Sequence, residues 1–539
     1  MHLTPLLSFV KCILLLKLLV TVLTIIHPLI FAEMIDNVLV GNYQTVLMIF
    51  ALHAFLQVVL IMINYILRRL DLIASKNINH NVKSRILNYI FHIPPYDNDI
   101  NQGKIHSLIV SDSKAVYTFV TAVITTAFTI LTVIGVGIVT LITDWRLTLI
   151  LFIPYPLIII INRIFRKQIK EKTKKVLEQN DRFLSILKNT LGNISDVQNQ
   201  NGIAKIIKAV DGESNKGRTA AITQGHIQNN FHISIGLVGF VGNSIFTLSG
   251  LILVMIQILS LGDFVAFSSY SKSLSTNLNS LFSLKTNLQP LYVSLERLLE
   301  VEEKYNQSQK RENSKKHLDE NIVSLDLKNV SVSYGKNIVL NDVSISLCKG
   351  NIIGFYGLNG TGKTTLARLI SSMICETSGQ VFINNRLLHD YNFFSLSQHI
   401  NYVGANKNIY FISVKDNIML SHDYYRENEF ADICKMLNID DYVSDLDDGY
   451  QTIINEATGF STGQIQKIQI ARAFHKQSDI IIFDESMSNL DEETRKNVYN
   501  KLKELSNDRI IIIISHAAKD YEICDIVYRI ENKTLKKIK

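Results

Sequence analysis

One run in the chain has the residue types and spacing to hold a polyphosphate: Gly357-Leu358-Asn359-Gly360-Thr361-Gly362-Lys363-Thr364-Thr365. It matches G-x-x-x-x-G-K-[ST], follows an apolar stretch that reads as a strand, and opens a stretch that reads as a helix. Glycines let backbone N–H groups curl round phosphate oxygens, and the helix N-terminus adds a favourable dipole. Lys363 would neutralise the β- and γ-phosphates, and the Thr364 hydroxyl would coordinate Mg2+. A second group lies at Ile480-Ile481-Ile482-Phe483-Asp484-Glu485. Four apolar residues there predict a buried parallel strand, and such sheets take ligands at the carboxyl ends of their strands. Asp484 would then hold Mg2+, directly or through water, and Glu485 would polarise an attacking water. An acidic strand end is common by itself; paired with an upstream phosphate loop it points to nucleotide hydrolysis.

These two groups alone fit any P-loop ATPase. The discriminating stretch is Phe460-Ser461-Thr462-Gly463-Gln464, just ahead of the acidic strand. It resembles the signature loop of the ATP-binding cassette (ABC) family, typically LSGGQ, with Phe460 in place of Leu and Thr462 in place of the first Gly. The resemblance implies that Ser461, Gly463 and Gln464 contact ATP across a dimer. It also implies that Tyr334 stacks on adenine and that His516, after an isoleucine-rich strand, hydrogen-bonds the γ-phosphate. Ser488-Asn489-Leu490-Asp491 resembles the family's dimer-contacting loop. Read without the resemblance, Tyr334 and His516 would more often be structural. One position departs: Ala405 stands where the family has a glutamine that couples metal and water to the membrane domain, so coupling would lack that contact or take it from Asn406.

The elements that must position these residues form two contrasting halves. Of 539 residues only 19% are charged, below the roughly 25% of ordinary soluble domains. The apolar excess lies mainly in residues 1–290. Six stretches are candidate spans at about 20 apolar residues per crossing: about 12–35, 45–67, 117–142, 147–165, 231–258 and 263–285. The last is polar, with Lys272 among many Ser and Asn residues, and suits a helix facing a protein interior or water-filled cavity. The first has neither a basic leader nor a small-residue cleavage site, and reads as a retained span. The resulting fold class is multi-domain: a six-helix transmembrane bundle with long cytosolic helix extensions, then an α/β P-loop nucleotide-binding domain. The expected boundaries are 1–300 for the membrane domain, 301–321 for a polar linker or frayed helix, and 322–539 for the nucleotide domain.

Charge sets the expected orientation. Residues 36–44 and 260–263 contain no Lys or Arg, and the turn at 144–146 contains one. Residues 68–114 and 163–218 are rich in both. Basic loops stay cytosolic, which predicts a multi-pass protein of the cytoplasmic membrane with both termini and the nucleotide domain in the cytosol. The net charge of +7 is accounted for by those loops, and nucleic acid is not an expected partner. The five cysteines contain no CxxC pair, so neither zinc nor redox chemistry is indicated.

The resemblance to the exporter branch of the family covers the whole chain and implies ATP and Mg2+ as cofactors. Because no internal repeat supplies a second set of motifs, it also implies a dimer with a second copy or a related half-transporter. Coupling contacts would fall near residues 111–116 and 198–206. The expected cargo is a peptide such as a lantibiotic or other bacteriocin, with leader cleavage done elsewhere since no peptidase segment is present. Drug or lipid export, and a non-transporting sensor or immunity module, are the competing readings.

Overall fold

The computed structural model describes residues 4–98, 102–192, 194–404, 408–420, 427–455 and 458–539. The chain forms two compact units, Met1–Lys83 with Leu108–Arg297, and Ser84–Ser107 with Leu298–Lys539.

The first unit is built on long helices: α1 (Thr4–Val40), α2 (Tyr43–Phe91), α3 (Ser113–Thr143), α4 (Trp145–Phe152), α5 (Pro154–Gly192), α6 (Ile203–Met255) and α7 (Leu261–Ser314). α2 and α7 continue from it into the second unit. Each boundary has a local cause. Gly41 takes φ +76° between α1 and α2, a left-handed exit that costs glycine nothing. Asp144 is extended, and its carboxylate accepts the N–H groups of Arg146 at 2.8 Å and Leu147 at 2.9 Å, capping α4. Pro154 has no N–H to donate, so the helical stretch Trp145–Leu187 that contains the expected span 147–165 is interrupted at Ile153, between α4 and α5. The stretch expected as linker or frayed helix is regular helix as far as Ser314.

Among the described residues, five helical stretches are long and apolar enough to cross a membrane by length and composition: Lys11–Val40, Tyr43–Phe91, Lys104–Thr143, Trp145–Leu187 and Ile203–Met255. Many of their large apolar side chains, such as Leu47, Phe55 and Ile61, are exposed, as in helices whose solvent is lipid. α7 is not one of the five, in keeping with its Ser- and Asn-rich sequence. It is held by packing instead. Phe267, Tyr270 and Leu274 are buried with Leu147 and Phe246. Its Gly262 donates its N–H to Asp36 Oδ1 at 2.8 Å, and a Cβ there would lie 2.2 Å from the Ala32 carbonyl oxygen. No other residue could bring the start of α7 so close to α1.

The second unit contains two sheets. An antiparallel sheet has the order β2-β1-β4-β5, with β1 Ser324–Tyr334, β2 Asn337–Cys348, β4 Ser378–Ile383 and β5 Arg386–Leu387. A larger sheet has the order β10-β9-β3-β8-β7-β6, with β3 Ile352–Tyr356, β6 Ile400–Val403, β7 Ile480–Asp484, β8 Ile510–Ile514, β9 Ile526–Glu531 and β10 Thr534–Lys537. All of its neighbours are parallel except β9 and β10. β7 and β8 are buried along their whole length, as strands covered on both faces must be, and their isoleucine-rich sequences follow from that. The helix α8 (Lys363–Ile370) follows β3, α9 (Thr462–His475) precedes β7, and α10 (Glu492–Ser506) lies between β7 and β8.

Candidate functional site

The phosphate loop leaves the carboxyl end of β3, Asp484 ends β7, and His516 lies just past the end of β8. β3, β8 and β7 are neighbours, with Phe355 and Asp484 both in register with Ile514. Three sequence-distant segments are therefore brought to one edge by sheet order alone, at the position where open parallel sheets bind ligands.

Gly360 and Gly362 take φ +78° and +106°. A Cβ on Gly362 would also lie 2.9 Å from Leu340 Cδ2, so the turn into α8 requires glycine there. The opening N–H groups of α8, at Lys363, Thr364 and Thr365, have no acceptor one turn back and face the loop. The buried Lys363 Nζ donates to the carbonyls of Gly357 at 2.8 Å and Leu358 at 3.0 Å. Burial pulls its pKa below the ordinary value, against the attraction of Glu485 and Asp484. Leu358, Asn359 and Gly360 are exposed at the tip of the loop, and Thr361 Oγ1 donates to Leu358 O at 2.9 Å.

Asp484 is buried, and burial pushes its carboxyl above the usual carboxylate range, opposed by Tyr402 and Thr364. Tyr402 donates to its Oδ2 at 2.8 Å, while Oδ1 is buried with no hydrogen-bond partner. An orphaned carboxylate oxygen beside the Thr364 side chain is a donor set that fits a hard divalent cation. Glu485 takes φ +56°, unusual for a residue other than Gly, Asn or Asp. That turn aims its carboxylate at His516, with Oε1 2.6 Å from Nε2. The loop of His516 is fixed from behind. Ser515 Oγ and Tyr499 donate to the buried Asp520, and the Tyr521 hydroxyl lies 2.9 Å from Phe355 O and 2.5 Å from Ser515 O.

Ser461 caps α9: its side chain accepts the Gln464 N–H at 3.2 Å, and Gln464 Oε1 accepts the Ser461 N–H at 2.8 Å. A Cβ on Gly463 would lie 2.9 Å from Asn489 O. Gln466 accepts the Asn489 N–H at 3.0 Å, and Lys467 pairs with Asp491 at 2.9 Å. The signature loop and the Ser488–Asp491 loop are thus one packed surface. Among the described residues, Ser461, Gly463 and Gln464 make no hydrogen bond to the phosphate loop. Tyr334 is exposed at the end of β1, in register with Asn337 of β2; further along β2, Val339 and Leu340 pack at Gly362.

The sequence-predicted residues separate into two groups: Lys363, Thr364, Asp484, Glu485 and His516 at one sheet edge, and Ser461, Gly463 and Gln464 on the surface of α9. Ala405 and Asn406 lie outside the described residues. Sequence reasoning missed Tyr402, Asp520 and Tyr521, because a tyrosine within or beside an apolar strand has no motif. No signal in the sequence placed Tyr402 near Asp484, since that proximity depends on β6 pairing with β7. It also missed Glu312. Burial pushes the Glu312 pKa up, but bonds from Lys315, Tyr96 and the Phe393 N–H outweigh it and leave the carboxyl below its ordinary value. Glu312 Oε1 accepts from Tyr96 at 2.5 Å and Oε2 from Phe393 N at 2.7 Å. The segment after α2 is thereby joined to the turn before residues 393–399.

Comparison with known proteins agrees with this geometry. The ABC transporter transmembrane region family matches residues 10–278, and the ABC transporter family, the ATP-binding domain, matches residues 340–488. A protein named as an ABC transporter ATP-binding/permease protein of Haemophilus influenzae is 35% identical over 212 residues, 39% of this chain and 38% of that relative. An export ATP-binding/permease protein of Rickettsia felis is 26% identical over 518 residues, 93% of this chain and 88% of its own length. The sublancin-168-processing and transport ATP-binding protein of Bacillus subtilis is 26% identical over 413 residues, 74% of this chain and 56% of that protein. The structure of a bacterial Atm1-family ABC exporter with ATP bound shares the fold, with a TM-score of 0.81 at 17% identity, covering 98% of this chain and 94% of that one. The chain belongs to the ABC transporter family, as an exporter-type half-transporter with one transmembrane region and one ATP-hydrolysing domain.

Proposed function

We propose that two copies of this chain, or one copy with a related half-transporter, form a dimer in the cytoplasmic membrane that exports a peptide at the expense of ATP. The convergence of Lys363, Thr364, Asp484, Glu485 and His516 on one sheet edge carries the catalytic part of the reading. Lys363 exchanges its carbonyl partners for the β- and γ-phosphates, and the N–H groups that open α8 receive the remaining oxygens. Mg2+ would be held by Thr364 and Asp484 and would supply charge neutralisation for the phosphates. Glu485 turns from His516 to a water, holding it in line with the γ-phosphorus, and the freed His516 Nε2 hydrogen-bonds the γ-phosphate.

Ser461, Gly463 and Gln464 close the site from the opposing subunit, since within one chain they cap a separate surface. Tyr334 supports the adenine. Closure around ATP requires tighter binding in the closed state than in the open one. Both termini and the nucleotide domain face the cytosol, with the membrane domain at 1–300 and the nucleotide domain at 322–539. The cargo class rests on the sublancin-transport relative, and a lantibiotic or similar bacteriocin fits it.

The test uses the full chain reconstituted in liposomes. Glu485→Gln retains ATP binding and loses hydrolysis and accumulation of a bacteriocin-type peptide in inverted vesicles. Undiminished hydrolysis in that variant rejects the assignment, and ATP turnover without accumulation of any peptide rejects the cargo class.

A further inference from the structure

We infer that a cavity in the helical unit binds a carboxylate of the transported molecule through Lys272. The inference deepens the export proposal and rests on it. The cavity measures about 850 Å³, within the range of sites that take drug-sized ligands or short peptide segments. One wall is a face of α7, where Ser271, Lys272, Ser275 and Asn279 recur at helical spacing, and Asn243 and Tyr155 lie on α6 and α5. The walls approach each other because Gly242 of α6 has no side chain: a Cβ there would lie 2.2 Å from Pro154 Cγ.

Lys272 is the one charged residue among the described lining, and no Asp or Glu lines the cavity with it. No ion pair to it occurs among the described residues. Lys272 is exposed to the open cavity rather than packed against protein. A lone cation on a wall of uncharged groups is costly in apolar surroundings unless the cavity is wet or a counter-charge enters. The hydroxyl and amide groups on α7 solvate the empty cavity, and a monoanionic group relieves the remaining cost. Carboxylate is the anion a peptide brings, at its C-terminus or on Asp and Glu.

The test is calorimetric titration of the full chain in detergent micelles with an N-acetylated hexapeptide of glycine, serine and leucine that ends in a free carboxylate. The same peptide as a C-terminal amide is the matched neutral probe, and short-chain phosphatidylglycerol is the lipid anion. The free acid is expected to bind at least about tenfold more tightly than the amide. Lys272→Ala abolishes that difference and Lys272→Arg retains it. The inference is overturned by equal binding of acid and amide, by binding of neither, by a preference that survives Lys272→Ala, or by Lys272-dependent binding of the lipid with none of the peptide acid. ATP turnover measured on the same samples reports separately on the export proposal: its absence would count against that reading and leave the titration result standing.

Discussion

The nucleotide site and the membrane cavity are built on opposite principles. At the nucleotide site, position dictates residue type. Gly362 is required by φ +106° and by Leu340, while Asp484 on a buried strand end and Glu485 in a left-handed turn toward His516 are held where local structure alone would favour other residues. The ligand groups are mostly backbone, and side chains supply charge at a few fixed points. At the cavity, the framework constrains residue type where helices touch, as at Gly242 against Pro154. Elsewhere the lining mixes apolar side chains such as Leu151, Ile158 and Phe246 with the polar groups of α7, and no backbone geometry dictates their types. A family can thus keep one motor and change its cargo, because the two sites are held by different kinds of constraint.

The largest expected effect is at the motor. Lys363→Ala removes the charge proposed to meet the β- and γ-phosphates and is expected to lower ATP turnover by about a hundredfold or more, measured by phosphate release from the full chain. The peptide-acid titration of the cavity stays within about twofold, since no ligand group there comes from the loop. A fall of less than about tenfold in turnover, or a matching loss in the titration, would show that the two sites are not separately constrained.

The same contrast explains what could be read in advance. The phosphate loop, the acidic strand end and the signature loop were legible because their chemistry requires particular residues at fixed spacing. The α/β class followed from short β-rich runs such as 480–484 and 510–514. Tyr402 was not legible, since its bond to Asp484 depends on β6 lying beside β7, and strand order is not a local property. Neither was Glu312: it reads as one more charge in a polar stretch, yet it is buried where Tyr96 and Phe393 meet. In the helical half, long apolar runs marked five stretches that the structure also shows as long apolar helices, while the sixth, on α7, is not apolar enough to be among them. The break before Pro154 was not legible because a proline inside an apolar run is compatible with either a kink or an end. The polar character of α7 was the one cavity signal in the sequence, and it depends on composition more than on any single position.

A test of intermediate size addresses the framework of the cavity. Gly242→Ala places a methyl group against the ring of Pro154, which cannot rotate away as a flexible side chain would. The expected cost is about 1–3 kcal/mol, read as a lower unfolding midpoint in detergent, together with weaker binding of the peptide acid. Gly242 sits at the contact of α6 with Pro154 that brings the walls of the cavity together. An unchanged midpoint and unchanged binding would mean that α5 and α6 separate freely, and that the cavity has no more fixed framework than its variable lining.

The smallest effect should fall at Tyr402, which meets the motor site only through one hydrogen bond to Asp484. Tyr402→Phe keeps the ring in β6 and removes the hydroxyl bonded to Asp484 Oδ2 at 2.8 Å. That bond favours the ionised carboxylate, whereas burial opposes it and already holds the pKa above its ordinary value. Without the bond the pKa rises further, so the protonated fraction at any acidic pH increases. The acid limb of the ATPase profile should therefore move to higher pH. Half-saturation by Mg2+ should rise by about two- to tenfold, the worth of one hydrogen bond. Turnover at saturating Mg2+ near neutral pH should change little, because Thr364 and Asp484 remain. A shift of the acid limb to lower pH would mean that Tyr402 opposes ionisation of Asp484. An unchanged profile and Mg2+ requirement would make the hydroxyl a packing feature, and the constraint on residue type would then end at the groups that reach the phosphates.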